Sequence, residues 1–95
     1  FEDAARHFET MFQNGFDLPH ARNSFALTLL DLNRKSEAFE QFRQAIRQDP
    51  TFLDARLNLA QFLFLDGQKE EATLHFEMAL KIDPTNPVAR RYLNR

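Results

Sequence analysis

The sequence contains neither cysteine nor tryptophan, and only two glycines occur among its 95 residues. The absence of cysteine excludes disulfide bonds, thiolate metal sites and thiol nucleophiles. With Gly15 and Gly67 alone, the chain cannot form a glycine-rich phosphate loop, a nucleophile elbow or a dinucleotide fingerprint. We therefore expect a protein that is not an enzyme and that binds no cofactor.

Metal-binding patterns are also missing from the sequence. The three histidines, His7, His20 and His75, include no pair spaced four residues apart on one helix, which a helical metal site would need. We expect no metal site. His7 and His75 are predicted to be solvated residues on helix surfaces.

The charge and the apolar runs exclude two further classes of partner. Twelve basic and fourteen acidic residues give a formal net charge of -2, so no strong positive field favours nucleic acid or an anionic membrane. The longest apolar runs, such as residues 62–65, are far shorter than the roughly 20 residues that span a bilayer. The cationic cluster Arg90, Arg91 and Arg95 favours the solubility of the last helix, and we expect neither a nucleic-acid partner nor membrane insertion.

The sequence repeats itself after 34 residues. Five residues recur at this distance, with Ala38, Phe42, Ala45, Asp49 and Pro50 followed by Ala72, Phe76, Ala79, Asp83 and Pro84. A period of this length indicates stacked helical units, each of which buries its apolar face against a neighbour. Function is then expected on a surface rather than in a catalytic pocket.

Helical spacing and turn residues divide each repeat into two helices. Apolar residues at positions i, i+1 and i+4, as in Phe25, Ala26 and Leu29, are typical of an amphipathic helix. Asn33 and Gly67 occupy equivalent positions, and both residue types tolerate the left-handed backbone that ends a helix. The predicted helices are 1–14, 19–32, 35–48, 53–66, 69–82 and 87–94.

The period predicts a single array that occupies the whole chain, 1–95. Residues 1–16 would form the second helix of a partial repeat, followed by complete repeats at 19–52 and 53–86. Residues 87–95 would form a partial repeat or a capping helix.

The motif that repeats resembles a known family. Ala-x3-Phe, with proline eight residues further on, reads Ala38, Phe42, Pro50 and again Ala72, Phe76, Pro84, and it is similar to the tetratricopeptide repeat. The resemblance implies an all-α fold, a right-handed solenoid of antiparallel helical hairpins with about six helices. It also implies a non-catalytic scaffold for protein–protein interaction.

Arginine replaces the large aromatic residue that the family usually has in its first helix. Arg22, Arg56 and Arg90 share this register. We favour packing of each aliphatic stem on a neighbouring helix, with the guanidinium group reaching solvent or an acid. The alternative is a ladder of arginines for a phosphorylated or acidic ligand, which requires the three groups to converge.

In this family the first helices line the concave face, which implies a binding surface for a peptide or a helix of a protein partner. The residues predicted to bind are Asn23, Leu27, Leu30, Asp31, Leu57, Asn58, Gln61, Phe64, Leu65 and Arg91. Much of this set is apolar, and contiguous exposed apolar area often marks an interaction site. Alternatively, curvature of the array or a neighbouring repeat covers these residues.

A second hypothesis is assembly through the terminal helices. An apolar face on the first helix, Phe1, Phe8, Met11 and Phe12, would allow self-association into a homo-oligomer. A third is that the chain is a regulatory array of a larger protein.

Overall fold

The structure, a computed structural model, describes residues 2–94, without the side chain of Glu2. It contains six helices, α1 (Glu2–Gln13), α2 (Pro19–Asp31), α3 (Lys35–Gln48), α4 (Leu53–Leu65), α5 (Lys69–Ile82) and α6 (Pro87–Leu93). Every predicted helix is confirmed, and within the described residues the bounds differ by at most one residue; the predicted start at Phe1 lies outside those residues. Because these residues include no strand, the all-α class is confirmed as well.

The chain divides into two compact units, Phe1–Pro50 and Thr51–Arg95. The first unit contains α1, α2 and α3, and the second contains α4, α5 and α6.

Each unit contains a hairpin whose second helix buries the repeated motif. In α3 the buried side chains are Ala38, Phe39, Phe42 and Ala45, and in α5 they are Ala72, Phe76 and Ala79. The repeated alanines are fully buried, and their small side chains allow the two helices of a hairpin to approach closely. The hairpin of the first unit is antiparallel, because Gln48 at the end of α3 donates to Asp17 just before α2, at 2.8 Å.

Left-handed residues end the first helix of each hairpin, as predicted. Asn33 has φ 62° and Gly67 has φ 85°. In the first hairpin the N–H of Asn33 donates to Leu30 O at 3.0 Å, and the N–H of Arg34 donates to Leu29 O at 2.8 Å. This pattern is a Schellman motif, which satisfies carbonyl groups that the helix end leaves open.

Prolines and one asparagine set the remaining helix ends. Pro19 and Pro87 occupy the first turns of α2 and α6, where a missing N–H costs nothing. The side chain of Asn86 caps α6 by accepting a hydrogen bond from the N–H of Ala89 at 3.0 Å.

Candidate functional site

In the first unit, α2 exposes side chains beside its buried stripe. The stripe consists of Phe25, Ala26 and Leu29. Of the residues predicted to bind a peptide on this helix, Leu27 is 38% exposed and Asp31 is exposed, while Asn23 and Leu30 are half-buried. Leu27 is therefore the apolar side chain of α2 that a ligand can reach most easily.

In the second unit, α4 has the same organisation with a more exposed apolar residue. Its buried residues are Ala55, Arg56, Leu59, Ala60 and Leu63. Leu65 is 74% exposed. The other predicted residues of this helix are half-buried, namely Leu57, Asn58, Gln61 and Phe64. The side-chain amide of Gln61 donates to the backbone carbonyl oxygen of Leu57 at 3.3 Å.

An aromatic cluster in the second unit holds Phe64. Its ring centroid lies 5.1 Å from that of Tyr92 at an interplanar angle of 73°, and Tyr92 stacks on Phe76 at 4.5 Å. Nζ of Lys69 lies 5.3 Å from the Phe64 centroid, within the range of a cation–π interaction. Phe64 thus contributes to packing of the unit, whereas Arg91, next to Tyr92 in α6, is exposed.

In the first unit, Arg22 binds an acid, as we expected. Its Nη2 and Nε atoms donate to the two carboxylate oxygens of Asp17 at 2.5 and 2.6 Å, and Nη1 donates to Oε1 of Gln41 at 2.7 Å. The guanidinium carbon lies 3.9 Å from the centroid of Phe12. The hydrogen bond from Arg22 lowers the pKa of Asp17, with help from Gln48 and against the opposing effect of burial.

In the second unit, the equivalent Arg56 is buried. Its Nη1 lies 3.2 Å from Nδ1 of His75, and Nε2 of that histidine lies 3.4 Å from a carboxylate oxygen of Glu71. Burial lowers the pKa of Arg56, although arginine stays charged in proteins. The prediction of a solvated His75 is wrong, because the side chain is half-buried and Arg56 approaches it from α4. His7, for which we make the same prediction, is exposed.

The arginines of the shared register have three different environments. Arg22 is half-buried and ion-paired, Arg56 is buried, and Arg90 is exposed on α6. The register therefore does not produce three equivalent guanidinium groups.

The apolar face of α1 is partly used inside the first unit. The ring centroids of Phe8 and Phe12 each lie 5.6 Å from that of Phe25 in α2. Phe8, Met11 and Phe12 are half-buried. Phe1, the fourth residue predicted for self-association, lies outside the described residues.

A groove of about 460 Å³ lies between the three helices of the first unit. Its lining consists of Glu9, Phe12, Gln13, Arg22, Phe25, Arg34, Glu37 and Gln41. Nη2 of Arg34 lies 2.6 Å from Oε2 of Glu37, and this interaction lowers the pKa of that carboxyl group. Since Arg22 is also bound to a carboxylate, neither arginine offers an uncommitted cation to a ligand in the groove.

Two further properties concern metals and membranes. Within residues 2–94, no three histidine, aspartate or glutamate side chains cluster in a way that would hold a metal ion. No helix in the same range has the length and apolar character needed to cross a bilayer.

An exposed apolar pair on α5 was not among the predicted site residues. Leu74 is 65% exposed and Met78 is 41% exposed, and they lie one helical turn apart. The sequence carries a signal for this pair, because the equivalent residues of α3 are Glu40 and Gln44. The two repeats therefore differ at these two positions, since α3 shows that the fold tolerates polar residues there and α5 has apolar ones.

The chain is similar to a known family and to a curated protein. The family described as Tetratricopeptide repeat matches residues 23–87, which is more than half of the chain. A curated protein, Uncharacterized protein ycf37 of Cyanophora paradoxa, is 37% identical over 57 residues. That match covers 60% of this chain and 33% of the relative, so the chain spans about a third of the relative's length.

Proposed function

This chain belongs to the tetratricopeptide repeat family, and from that membership we propose that it is a non-catalytic scaffold that binds a peptide or helix of a protein partner. Repeats of this kind form interaction surfaces from successive helices. One segment of the ligand would bind to α2 in the first unit, and another segment would bind to α4 and α6 in the second unit.

The exposure of leucine beside the buried stripe carries this proposal. Leu27 and Leu65 are exposed although α2 and α4 bury other apolar residues. Asn58 and Gln61 lie on the same part of α4 as Leu57 and supply amide groups. Apolar anchors with nearby hydrogen-bonding groups suit either an extended peptide or an amphipathic helix.

The ionisable groups with shifted pKa values support a structural role rather than catalysis. Hydrogen bonds from Arg22 and Arg34 account for the lowered pKa values of Asp17 and Glu37, and burial accounts for that of Arg56. Since pairing and burial explain these shifts, no catalytic role is needed for them.

Selection of peptides on the immobilised chain tests the proposal. A displayed random-peptide library should yield enriched sequences, and calorimetry with a synthetic copy should give its affinity. Leu27→Ser and Leu65→Ser should each weaken binding by roughly tenfold, because each removes an apolar anchor worth about 1.4 kcal/mol or more.

Two choices make this test specific. On α4 we choose Leu65 rather than Phe64 for substitution, because Phe64 packs on Tyr92 and its truncation would also destabilise the unit. Leu74→Gln, on the outer face of α5, is the control and should leave the affinity unchanged. Equal losses from the control and from Leu65→Ser would contradict a surface formed by the first helices.

Assembly through α1 is a second candidate function, favoured by one comparison between repeats. Ala4 is exposed, whereas the equivalent Ala38 and Ala72 are fully buried. A helix supplied by another copy would bury this position. If α1 forms a contact between copies, Ala4→Glu should reduce the increase in sedimenting mass with concentration, and an unchanged profile would exclude α1 from the contact. The peptide-binding surface would serve equally in a regulatory array of a larger protein.

A further inference from the structure

The outer face of α5 combines apolar and charged side chains in one narrow stripe. Glu70, Leu74, Met78 and Lys81 are all exposed. Their spacing of four, four and three residues places them on one side of the helix. The buried residues Ala72, Phe76 and Ala79 lie on the opposite side.

The fold does not require apolar residues in this stripe. On α3 the equivalents of Leu74, Met78 and Lys81 are Glu40, Gln44 and Arg47. There Nη2 of Arg47 lies 2.9 Å from Oε1 of Glu40 and 2.9 Å from Oε1 of Gln44, which gives that face a polar network. On α1 the equivalents of Leu74 and Met78 are again polar, Arg6 and Thr10. Only the α5 repeat has an apolar pair at positions that are polar in α1 and α3, and this difference indicates a contact with another molecule.

We propose that α5 packs antiparallel against α5 of a second copy of the chain, around a two-fold axis near Phe76. In this arrangement Leu74 of one copy contacts Met78 of the other, and the reciprocal contact forms by symmetry. With a rise of about 1.5 Å per residue, Glu70 lies roughly 9 Å from the axis along the helix, and Lys81 lies roughly 7.5 Å away on the other side. Antiparallel packing brings Glu70 of each copy beside Lys81 of the other.

Charge complementarity identifies the occupant as a second copy. The exposed charged residues on this side of α5 are Glu70, Glu77 and Lys81. An antiparallel copy pairs Glu70 with Lys81 twice, and these two pairs oppose the repulsion between the two Glu77 carboxylates that the axis brings together. A parallel copy would instead place glutamate beside glutamate and lysine beside lysine. This surface is separate from the leucines of α2 and α4 that the proposed function uses.

The contact is small and the dimer is correspondingly weak. Two apolar side chains and one ion pair from each copy bury less than the standard interface of about 1,600 Å². Dimerisation should therefore appear only at high protein concentration, approaching about 1 mM. In a multivalent assembly the same contact would add avidity.

Sedimentation velocity across a concentration series tests the contact. The natural chain should show a rising mass toward the dimer, whereas Leu74→Glu with Met78→Gln, which installs the residues of α3, should remain monomeric. Leu65→Gln is the matched control, since it removes a leucine that is at least as exposed as Leu74 and lies on another helix. Circular dichroism of each variant establishes that its helices are intact.

A charge exchange tests the antiparallel orientation independently of the apolar pair. Lys81→Glu should raise the dissociation constant roughly threefold or more, because it faces Glu70 of the other copy. Combining Glu70→Lys with Lys81→Glu should restore the original value, since the opposite charges are matched again.

Several results would overturn the proposal. They are a monomer at every concentration, a dimer that the Leu74→Glu and Met78→Gln pair leaves intact, or a charge exchange that restores nothing. A dimer abolished by Ala4→Glu but retained in the α5 variant would assign assembly to α1 instead. None of these results bears on peptide binding, which the selection experiment measures separately.

Discussion

Nη1 of Arg56 lies 3.2 Å from Nδ1 of His75, and this pair is the repeat equivalent of Arg22 and Gln41, which are joined at 2.7 Å. In both hairpins the two residues are 19 positions apart and connect the first helix to the second. Because a guanidinium group only donates, Nδ1 of His75 and Oε1 of Gln41 both act as acceptors. Either an imidazole or an amide side chain can therefore occupy this position of the second helix and bind the arginine of the first.

This equivalence predicts which substitutions His75 tolerates. His75→Gln should change the free energy of unfolding little, because the amide oxygen can accept from Arg56 as Gln41 accepts from Arg22. His75→Leu should cost about 1–3 kcal/mol, since it removes an acceptor from a buried charged donor. Urea denaturation followed by circular dichroism measures both values.

The converse exchange is the control for this prediction. Gln41→His introduces into the first unit the residue that the second unit already has, and it should also be tolerated. Equal destabilisation by His75→Gln and His75→Leu would mean that the imidazole shape, rather than its acceptor nitrogen, stabilises the hairpin.

The repeated phenylalanines should be the most sensitive positions in the hairpin cores. Phe42 and Phe76 are among the largest fully buried side chains, so Phe42→Ala and Phe76→Ala should each lower the free energy of unfolding by about 3–5 kcal/mol. Phe8→Ala, at the equivalent position of α1, should cost less because Phe8 is only half-buried. Thermal and urea unfolding provide the measurement, and equal losses at all three positions would contradict this ranking.

Periodicity made the helices and their ends predictable. The alanines and phenylalanines of the repeat are buried as a 3.6-residue pattern requires, and Asn33 and Gly67 adopt the positive φ that their positions demand. These features depend on local spacing and on the backbone preferences of single residues. Both are present in the sequence itself.

The environments of individual side chains were less predictable. The sequence predicts Phe64 on a binding surface, and the structure also packs Tyr92 against it. The sequence predicts His75 in solvent, but Arg56 reaches it from another helix. These contacts depend on rotamers and on distances between helices, which periodicity does not specify. The exposed pair Leu74 and Met78 becomes evident from sequence only when the repeats are compared position by position.

Gly67 should be sensitive to substitution for a reason that does not involve packing. A Cβ atom at this position would meet nothing within 4 Å, but φ is 85°, which disfavours residues with a side chain. Gly67→Ala should therefore destabilise the chain by about 1–2 kcal/mol. The reciprocal change Asn33→Gly should be neutral or slightly stabilising, because φ there is 62°. Loss of stability in both variants, measured by urea denaturation, would contradict the backbone explanation.

The ion pair of Asp17 with Arg22 should make the stability of the first unit depend on acid pH. The pKa of Asp17 is lowered in the folded chain, mainly by the hydrogen bond from Arg22. A lowered pKa means that the unfolded chain takes up the proton first, so the contribution is fully present above the unfolded value of about 3.9. It is lost as the pH falls through the folded pKa. Asp17→Asn should cost about 0.2–1 kcal/mol at pH 7 and much less at low pH.

A second aspartate in the same unit provides the control for this pH dependence. Asp31 is exposed and ends α2, where a carboxylate interacts unfavourably with the helix dipole. Asp31→Asn should therefore be neutral or stabilising at pH 7, opposite in sign to Asp17→Asn. Unfolding measured between pH 7 and pH 2 for both variants compares them directly. If Asp17→Asn leaves the acid dependence of the natural chain unaltered, the pair with Arg22 does not contribute to it.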